Sequence, residues 1–202
     1  MGEVFLYGAS GHALVIRDIV ERCGGRVVCF VDDGKAGEYA GLPIVTLETI
    51  PQSLQAIVSI GSNAARATVA VRLATCGIVA VPAAVDPSAV ISPSASIGQG
   101  TVVMAGAIVN ARATIGEHCI INTGASVDHE CFIGDFVHLS PHSTLCGNVT
   151  VGEGSWVGAG ATVIQGVTIG PNVTVAAGAV VTRNVPASAL VAGVPAKVLR
   201  FK

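Results

Sequence analysis

A cluster of charged and imidazole side chains lies near the middle of this chain, in which only 12% of the residues are charged. Asp128, His129 and Glu130 are consecutive, and His138 and His142 follow within the next twelve residues. A carboxylate beside an imidazole fixes the tautomer of the ring and raises its basicity, as general base catalysis requires. The cluster predicts that His129 is a general base, whereas an isolated surface histidine would only be solvated.

A glycine-containing turn near the start of the chain is suited to phosphate binding. Residues 8–12, GASGH, follow an apolar run at 4–8 and precede a helical pattern at 13–23. The amides of a strand-to-helix turn and the helix N-terminus can together receive a diphosphate. The turn lacks the full GxGxxG pattern, which argues against NAD as its ligand.

Strand and helix patterns alternate in the first part of the chain. Strands are predicted at 4–8, 27–31 and 56–61, helices at 13–23 and 63–76, and a further apolar run covers 78–82. This alternation predicts an α/β, Rossmann-like domain with a parallel sheet over residues 1–84. Acidic residues directly after the second strand suit the ribose and base of a nucleotide, and Asn63 on the next turn also suits a helix N-cap.

A different pattern, with a period of six, begins at residue 85. An aliphatic residue occupies every sixth position seventeen times in succession, and the residue four positions later is always Ala, Ser, Thr, Cys or Val. The aliphatic residues are Val85, Ile91, Ile97, Val103, Val109, Ile115, Ile121, Val127, Ile133, Leu139, Leu145, Val151, Val157, Val163, Ile169, Val175 and Val181. A fixed short period predicts a solenoid, and a period of six is typical of a left-handed parallel β-helix with three hexapeptides per coil. The array over 85–186 predicts a prism roughly 27 Å tall, which the tail 187–202 should cap.

Residues 18 positions apart stack on the same side of successive coils, which places Gly147 beside His129. Since glycine has no side chain, its backbone N–H could approach a ligand closely and act as an oxyanion donor. A plain corner glycine would give the same sequence. Ala159 and Ala177 are also 18 apart, and they predict a smooth groove for a thin ligand such as a pantetheine arm, although tight corners alone would also require small residues.

The composition argues against several classes of protein. The net charge is −2 and no run of Lys or Arg occurs, which disfavours nucleic acid as a partner. No apolar stretch approaches the about 20 residues of a membrane helix, and the start of the chain lacks the features of a signal peptide. The six cysteines form no CxxC pair and are expected to be buried. We therefore expect a cytoplasmic protein with neither a nucleic acid nor a membrane partner.

Four motifs together resemble one family of enzymes. The hexapeptide array, VDHE at 127–130, GVPAK at 193–197 and YGASGH at 7–12 are similar to the PglD/NeuD-type sugar acyltransferases, which join a Rossmann-like domain to a left-handed β-helix. The resemblance implies an acetyl-CoA-dependent N-acetyltransferase, without a metal, that acts on the 4-amino group of a UDP-linked 4-amino-4,6-dideoxy sugar. It also implies a homotrimer with active sites between subunits and a role in bacterial glycan biosynthesis.

The same resemblance implies roles for individual residues. His129 would be the catalytic base, Glu130 the acid that raises its basicity, Asn122 a residue near the acceptor amine, and Gly147 the donor to the oxyanion. The residues implied to contact acetyl-CoA are His138, Gly147, Ala159, Ala177, Gly193, Pro195 and Lys197. The residues implied to contact the nucleotide sugar are Gly11, His12, Asp32, Asp33, Lys35, Gly61, Ser62, Asn63 and Arg66.

Three alternatives stay open at this point. An O-acetyltransferase of sialic acid or another sugar would differ only in whether its pocket accepts a hydroxyl. A zinc-dependent γ-type carbonic anhydrase would use His129, His138 and His142 at a subunit interface, but it would leave the nucleotide-binding pattern unexplained. A non-catalytic solenoid would have no affinity for coenzyme A.

Overall fold

The first part of the chain is a small α/β domain. In the computed structural model, which describes residues 2–201, five strands form one sheet in the order β3-β4-β2-β1-β5. Its elements are β1 (Glu3–Tyr7), α1 (Gly11–Arg22), β2 (Arg26–Val31), β3 (Gly37–Tyr39), β4 (Leu42–Val45), a short 3-10 helix (Leu47–Thr49), β5 (Gln55–Val58) and α2 (Asn63–Thr75). All pairs are parallel except β3 with β4. The predicted parallel, Rossmann-like sheet is confirmed.

The sequence patterns did not predict the short β3–β4 hairpin. Its strands, GEY at 37–39 and LPIV at 42–45, are only three and four residues long and show no regular alternation of apolar and polar residues. The run at 78–82 contributes one isolated bridge, between Ala80 and Ala56, rather than a strand. None of the helices among residues 2–201 is both long and apolar enough to cross a membrane.

The second part of the chain is a parallel β-solenoid. Its strands, in chain order, are β6 (Ala83–Val85), β7 (Val90–Ile91), β8 (Ser96–Ile97), β9 (Thr101–Val103), β10 (Ile108–Val109), β11 (Thr114–Ile115), β12 (Ile120–Ile121), β13 (Ser126–Val127), β14 (Phe132–Ile133), β15 (His138–Leu139), β16 (Thr144–Leu145), β17 (Thr150–Val151), β18 (Trp156–Val157), β19 (Thr162–Val163), β20 (Thr168–Ile169), β21 (Thr174–Val175) and β22 (Val180–Val181). Each strand from β6 to β19 pairs in parallel with the strand three further along, 18 residues away, as Val127 does with Leu145. The predicted β-helix is confirmed.

The solenoid has three faces, named here by their strands. Face one contains β6, β9, β12, β15, β18 and β21; face two runs from β7 to β22; face three runs from β8 to β20. The fourteen aliphatic residues at every sixth position from Val103 to Val181 are all at most 2% exposed. They form one continuous core with the apolar residues at the fourth position after them, and the two serines at that position, Ser143 and Ser155, are also fully buried.

The corners of the solenoid make two separate demands on the backbone. The third residue after each inward aliphatic, from Gly100 to Gly178, has a positive φ, and several of these residues are not glycine, including Glu130 with φ 59°. The corner between faces three and one has a second requirement, because a Cβ on Gly134 or Gly152 would lie 2.8 or 2.4 Å from the backbone of the next coil. That corner therefore carries glycine in five successive coils, at Gly98, Gly116, Gly134, Gly152 and Gly170.

The two parts of the chain share a core. Residues of β1 and α1, such as Leu6 and Ile16, belong to the same buried cluster as Val102 and Ile120, which point outward from face one. The α/β domain therefore covers the first coils of this face.

The C-terminal segment continues face one. Strand β23 (Ala189–Ala192) pairs in parallel with β21, and β24 (Lys197–Phe201) pairs with β23 in the antiparallel direction. The predicted segment boundaries at 84/85 and 186/187 stay predictions. The first residue of the first segment, Met1, and the last residue of the third, Lys202, lie outside the described part of the chain.

Candidate active site

His129 lies at the corner between faces two and three, where its side chain is 57% exposed. Its Nδ1 lies 3.3 Å from Glu130 Oε2, and its backbone N–H donates to Asp128 Oδ1 at 2.7 Å. A carboxylate at Nδ1 orients the ring and leaves Nε2 as the atom that can accept a proton. The arrangement suits a general base at the surface of the chain.

Gly147 lies beneath the His129 ring. A Cβ on Gly147 would be 2.6 Å from both Cε1 and Nε2 of His129, so the imidazole occupies the space that a side chain would need. Gly147 does not have a positive φ, so its glycine is explained by this contact rather than by a turn conformation. Its N–H takes part in none of the hydrogen bonds within residues 2–201, which leaves a donor next to the base.

Arg112 also contacts the acid, and sequence reasoning missed it. Its NH1 lies 3.4 Å from Glu130 Oε1, so the carboxylate lies between a guanidinium and the imidazole. Arg112 precedes Glu130 by 18 residues and has the same left-handed backbone, with φ 60°. The 18-residue spacing that located Gly147 would also have found Arg112.

Asn122 and His138 form a second group, on face one. Asn122 Nδ2 lies 3.1 Å from His138 Nε2, and the His138 side chain is buried. Burial, followed by the charge of Arg66, lowers the pKa of His138 to about 4, so this ring is neutral at pH 7. Its neutral Nε2 can then accept from the amide, which places the ring proton on Nδ1. No hydrogen bond within the described range joins this pair to His129.

Arg66 joins the α/β domain to the solenoid. The residue is 1% exposed, and its guanidinium donates to the carbonyls of His118 and Phe136 at 2.7 and 2.8 Å. It also donates to the carbonyls of Ile60 and Gly61 and to Asn63 Oδ1. Burial lowers its pKa to about 10, so it stays charged at neutral pH. Its contact with the nucleotide stays a prediction, and this placement indicates a structural role.

Asn63 is not the N-cap of α2, contrary to the expectation from sequence. Ser62 is the N-cap, and its side chain accepts from Ala65 N. Asn63 instead donates from Nδ2 to the carbonyls of Gly154 and Ser155, at 3.0 Å each. The Asn63 side chain therefore links α2 to the solenoid, a contact between distant segments that the local sequence could not show.

A crevice of about 580 Å³ opens at the carboxyl ends of β1, β2 and β5. Its lining residues are Tyr7, Gly8, Ala9, Ser10, Asp32, Asp33, Gly34, Ile60, Gly61, Ala65, Thr68 and Val69. Ligands of open α/β sheets bind at such an edge. Neither α1 nor α2 has an acidic residue in its first turn, and Ser10 makes no side-chain cap of α1. The N-terminus of α1, where Gly11 begins the helix, can therefore receive an anion.

The acidic residues of the crevice are already paired. Asp32 accepts from the amides of Ala9 and Gly34, so it shapes the loop. Asp33 accepts from Tyr7 Oη at 2.8 Å and from Arg72 NH1 at 2.9 Å, and the Tyr7 hydrogen bond is the main reason why the pKa of Asp33 is lowered. Sequence reasoning assigned no role to either residue, because Tyr7 was considered only as the first residue of YGASGH and Arg72 lies outside every motif.

Lys35 and His12 flank the same region. Lys35 Nζ donates to the carbonyl of Ala9, on the loop that contains the phosphate-binding turn. His12 Nε2 is buried and has no partner within residues 2–201. Burial, with a smaller effect of Arg66, lowers the pKa of His12 to about 4. After burial and Arg66, the charge of His12 also lowers the pKa of His138, so these two predicted ligand residues, one in α1 and one in β15, lie close enough to interact across the junction between the domains.

The other residues predicted to contact coenzyme, apart from His138 and Gly147, lie at a third place, the corner between faces one and two. Ala159 and Ala177 are exposed there, and the Gly178 N–H donates to the carbonyl of Ala159. The Gly193 carbonyl accepts from Val180 N, which brings the start of the GVPAK segment to the same edge. Pro195 and Lys197 are exposed beyond it. Among residues 2–201, no group of three or more His, Cys, Asp or Glu side chains is placed to hold a metal ion.

Comparison with known proteins matches both parts of the chain. Residues 3–73 match the family described as the PglD N-terminal domain, and residues 148–183 match the bacterial transferase hexapeptide family. A segment of 114 residues is 41% identical to UDP-N-acetylbacillosamine N-acetyltransferase of Bacillus subtilis. This segment spans 52% of this chain and 52% of that relative, so about half the length of the curated relative is matched.

Solved structures match over nearly the whole chain. PerB from Caulobacter crescentus, in complex with CoA and GDP-perosamine, is 42% identical, with a TM-score of 0.93 over 99% of this chain and 98% of that chain. The acetyltransferase domain of PglB from Neisseria gonorrhoeae is 37% identical, with a TM-score of 0.92 over 98% of this chain and 99% of that chain. The fold, the two family matches and this full-length identity establish that the chain belongs to the PglD-type family of hexapeptide-repeat sugar acetyltransferases.

Proposed function

We propose that this chain is an acetyl-CoA-dependent N-acetyltransferase that acts on the 4-amino group of a nucleotide-linked amino-dideoxy sugar. A UDP-linked 4-amino-4,6-dideoxy sugar is the proposed acceptor. The observation that carries the proposal is the packing of the His129 ring, held by Glu130, over Gly147 and its unused N–H. The names of the matched relatives, which are N-acetyltransferases of bacillosamine and perosamine nucleotides, support the choice of substrate class.

The groups described above, His129, Glu130 and the Gly147 N–H, suffice for direct acyl transfer. Nε2 of His129 accepts a proton from the sugar amine as the amine attacks the thioester carbonyl of acetyl-CoA. The Gly147 N–H donates to the oxygen that becomes negative. As the C–S bond breaks, the proton on His129 passes to the leaving sulfur, which yields the acetamide and free coenzyme A. Glu130 keeps the ring oriented and stabilises its protonated form.

We further propose that the enzyme is a homotrimer with its active sites between subunits. His129 lies at the corner between faces two and three, whereas Asn122 and His138 lie on face one of the same chain. If all three serve one reaction, a neighbouring chain must bring the second group to His129. A cytoplasmic location and a role in bacterial glycan biosynthesis complete the proposal.

The experiment is thiol release from acetyl-CoA with a panel of acceptors. The panel contains UDP- and dTDP-4-amino-4,6-dideoxy sugars, GDP-perosamine and sialic acid, and we expect turnover with an amino sugar nucleotide. Turnover with sialic acid alone would replace N-acetylation by O-acetylation. We expect His129→Asn to reduce kcat by about 10²-fold or more. His142 is exposed and lies outside the proposed machinery, so His142→Asn should keep the kcat of the wild type. Wild-type turnover by folded His129→Asn would contradict the proposed mechanism.

A further inference from the structure

Few charged groups surround His129 at the corner between faces two and three. Asp128 and Glu130 flank the histidine on its own coil, and Arg112 lies on the coil before it. The coil after it, at 146–148, contributes a thiol, a glycine and an amide. Two carboxylates and one guanidinium therefore determine the electrostatic environment of the imidazole on this chain.

The two carboxylates are held in different ways. Asp128 accepts from the His129 N–H at 2.7 Å and from Asn110 Nδ2 at 3.1 Å, so its oxygens are directed to the backbone and to an amide. The carboxylate of Glu130 is divided between two basic groups instead. Its Oε2 lies 3.3 Å from His129 Nδ1, and its Oε1 lies 3.4 Å from Arg112 NH1. Glu130 is therefore the acid that contacts the imidazole, and Arg112 contacts the same acid.

The backbone of the solenoid sets the contact between Arg112 and Glu130. The two residues are 18 apart and have the same left-handed conformation, with φ 60° and 59°. The Arg112 N–H donates to Ser94 Oγ at 3.1 Å, and the Glu130 N–H donates to the Ala111 carbonyl at 3.0 Å. Within residues 2–201, Glu130 is the only carboxylate that pairs with Arg112. Successive coils therefore hold the guanidinium next to this acid and no other.

Arg112 and His129 compete for the negative charge of Glu130. A carboxylate beside an imidazole stabilises its protonated form and so raises its basicity. A guanidinium on the other oxygen of that carboxylate weakens the negative potential at the ring. A general base is most effective when it is basic enough to take a proton but still unprotonated at the working pH. The balance between Glu130 and Arg112 can set that property.

We propose that Arg112 is a positioning residue that limits the basicity of His129 by sharing the carboxylate of Glu130. The proposal rests on the proposed function, in which His129 is the base, and it adds a residue that the mechanism above does not use. In this role Arg112 acts through Glu130 and takes no part in proton transfer.

The titration of His129 tests this coupling without any substrate. Histidine that is isotope-labelled at Cε1 gives NMR resonances for the five histidines, and His129→Asn identifies the resonance of His129. Removing a neighbouring positive charge favours the protonated imidazole, so we expect Arg112→Met to move the His129 midpoint upward by about half a pH unit. Arg112→Lys keeps the charge and should stay near the wild type, whereas Glu130→Gln should move the midpoint downward.

The matched control is Arg183→Met. Arg183 is exposed at the same corner, three coils further along, which is about 14 Å away and beyond the screening length at physiological salt. This variant should leave the His129 midpoint unchanged, as Arg112→Met should leave that of His142.

A double variant tests whether Arg112 acts through the acid. In a Glu130→Gln background, Arg112→Met should move the His129 midpoint by less than half as much as in the wild type. An unchanged midpoint in folded Arg112→Met would overturn the proposal, and so would an equal shift with and without the carboxylate.

Kinetics separates this proposal from the proposed function. We expect the acid limb of the pH profile of kcat/KM to move in Arg112→Met by the same amount as the NMR midpoint. A midpoint that moves while the acid limb does not would contradict His129 as the base and leave the coupling in place. If the wild type acetylates no acceptor of the panel, the proposed function fails, and the titration still decides whether Arg112 controls His129.

Discussion

At the scale of the residue, the pair His129 and Gly147 shows how the solenoid makes a site from spacing alone. The two residues are 18 apart, so the coil places one directly beside the other, and the absence of a side chain on Gly147 gives the ring its place. The same spacing brings Arg112 to Glu130. Three consecutive coils therefore supply one group of four residues, namely Arg112, His129, Glu130 and Gly147.

Gly147→Ala should separate activity from folding. The backbone at Gly147 suits any residue, but the new Cβ would lie 2.6 Å from the His129 ring, so the ring must move away from its position. We expect kcat to fall by about 10²-fold with only a small change in the melting temperature. Steady-state kinetics and thermal unfolding measure the two effects.

The control for this prediction is the double variant with His129→Ala. Once the ring is absent, the alanine meets no obstacle, so its effect on stability should disappear. An equal stability loss from Gly147→Ala with and without His129 would show that the glycine serves the backbone rather than the histidine.

At the scale of the element, the junction between α2 and the solenoid corner depends on one buried cation. Arg66 donates to four carbonyl oxygens and one amide oxygen, drawn from the turn before α2 and from two coils. The described residues place no carboxylate within ion-pair distance of it. The dipoles of these oxygen acceptors therefore stabilise the charge of Arg66. If the guanidinium is removed, all of these oxygens lose a hydrogen-bond donor at once.

Arg66→Met should destabilise the protein by at least about 3 kcal/mol, because several buried carbonyls lose a charged donor. Arg66→Lys keeps the positive charge but has fewer hydrogen-bond donors, so its loss in the free energy of unfolding should be smaller than that of Arg66→Met. Arg26→Met is the matched control, since Arg26 makes only an exposed ion pair with Glu3, and it should cost less than about 1 kcal/mol. Urea unfolding measures all three. A loss in Arg66→Met no larger than in Arg26→Met would contradict the structural role.

The buried histidines at this junction predict a dependence of stability on pH. The pKa values of His12 and His138 are lowered from 6.5 to about 4 by burial, so the unfolded chain binds more protons than the folded chain between these values. The free energy of unfolding should therefore fall as the pH decreases from 6.5 towards 4, by about 2 kcal/mol per histidine at pH 5. His138→Gln should reduce the loss between pH 7 and pH 5, as measured by urea unfolding. An unchanged pH dependence in this variant, with His142→Gln as the exposed control, would contradict the assignment.

The sequence was sufficient for the solenoid because its core repeats with one period. Each hexapeptide carries its own inward aliphatic, so the pattern does not depend on distant contacts. The spacing also placed Gly147 against His129. The hexapeptide pattern did not distinguish the three corners of the solenoid from one another. The glycines from Gly98 to Gly170 nevertheless recur every 18 residues, and they mark the corner between faces three and one, where successive coils approach closely.

Contacts between distant segments account for what the sequence did not show. The family resemblance implies that Arg66 and Asn63 contact the nucleotide sugar, which stays a prediction, but the sequence did not show that both side chains also donate to carbonyls more than 50 residues away. Trp156 could not be recognised as an exposed residue, since its neighbours in the sequence have the same pattern as every other hexapeptide. Only the end of the covering domain over face one makes it accessible.

At the scale of the whole molecule, the proposed residues of one reaction lie on different sides of a single chain. Mixed oligomers of two inactive variants therefore provide a test. We expect oligomers that contain both His129→Asn and Asn122→Ala chains, isolated through two different affinity tags, to be more active than either variant alone, because some interfaces combine two intact groups. Thiol release measures the activity, and light scattering the number of chains.

The control is each variant with both tags, which should stay inactive. Mixed oligomers that are no more active than their parents would place the complete site within one chain, and a monomer in solution would contradict the trimer.

The strict 18-residue register also limits how members of such a family can diverge in length. Inserting six residues would rotate everything after the insertion onto the next face, so an insertion between His129 and Gly147 would separate these two residues. Inserting eighteen residues would preserve every face and move the later residues along the axis by about 4.8 Å. Viable length changes in this solenoid should therefore come in whole coils. The distance from the nucleotide crevice to the corner that carries Ala159 and Ala177 can then change only in steps of one coil.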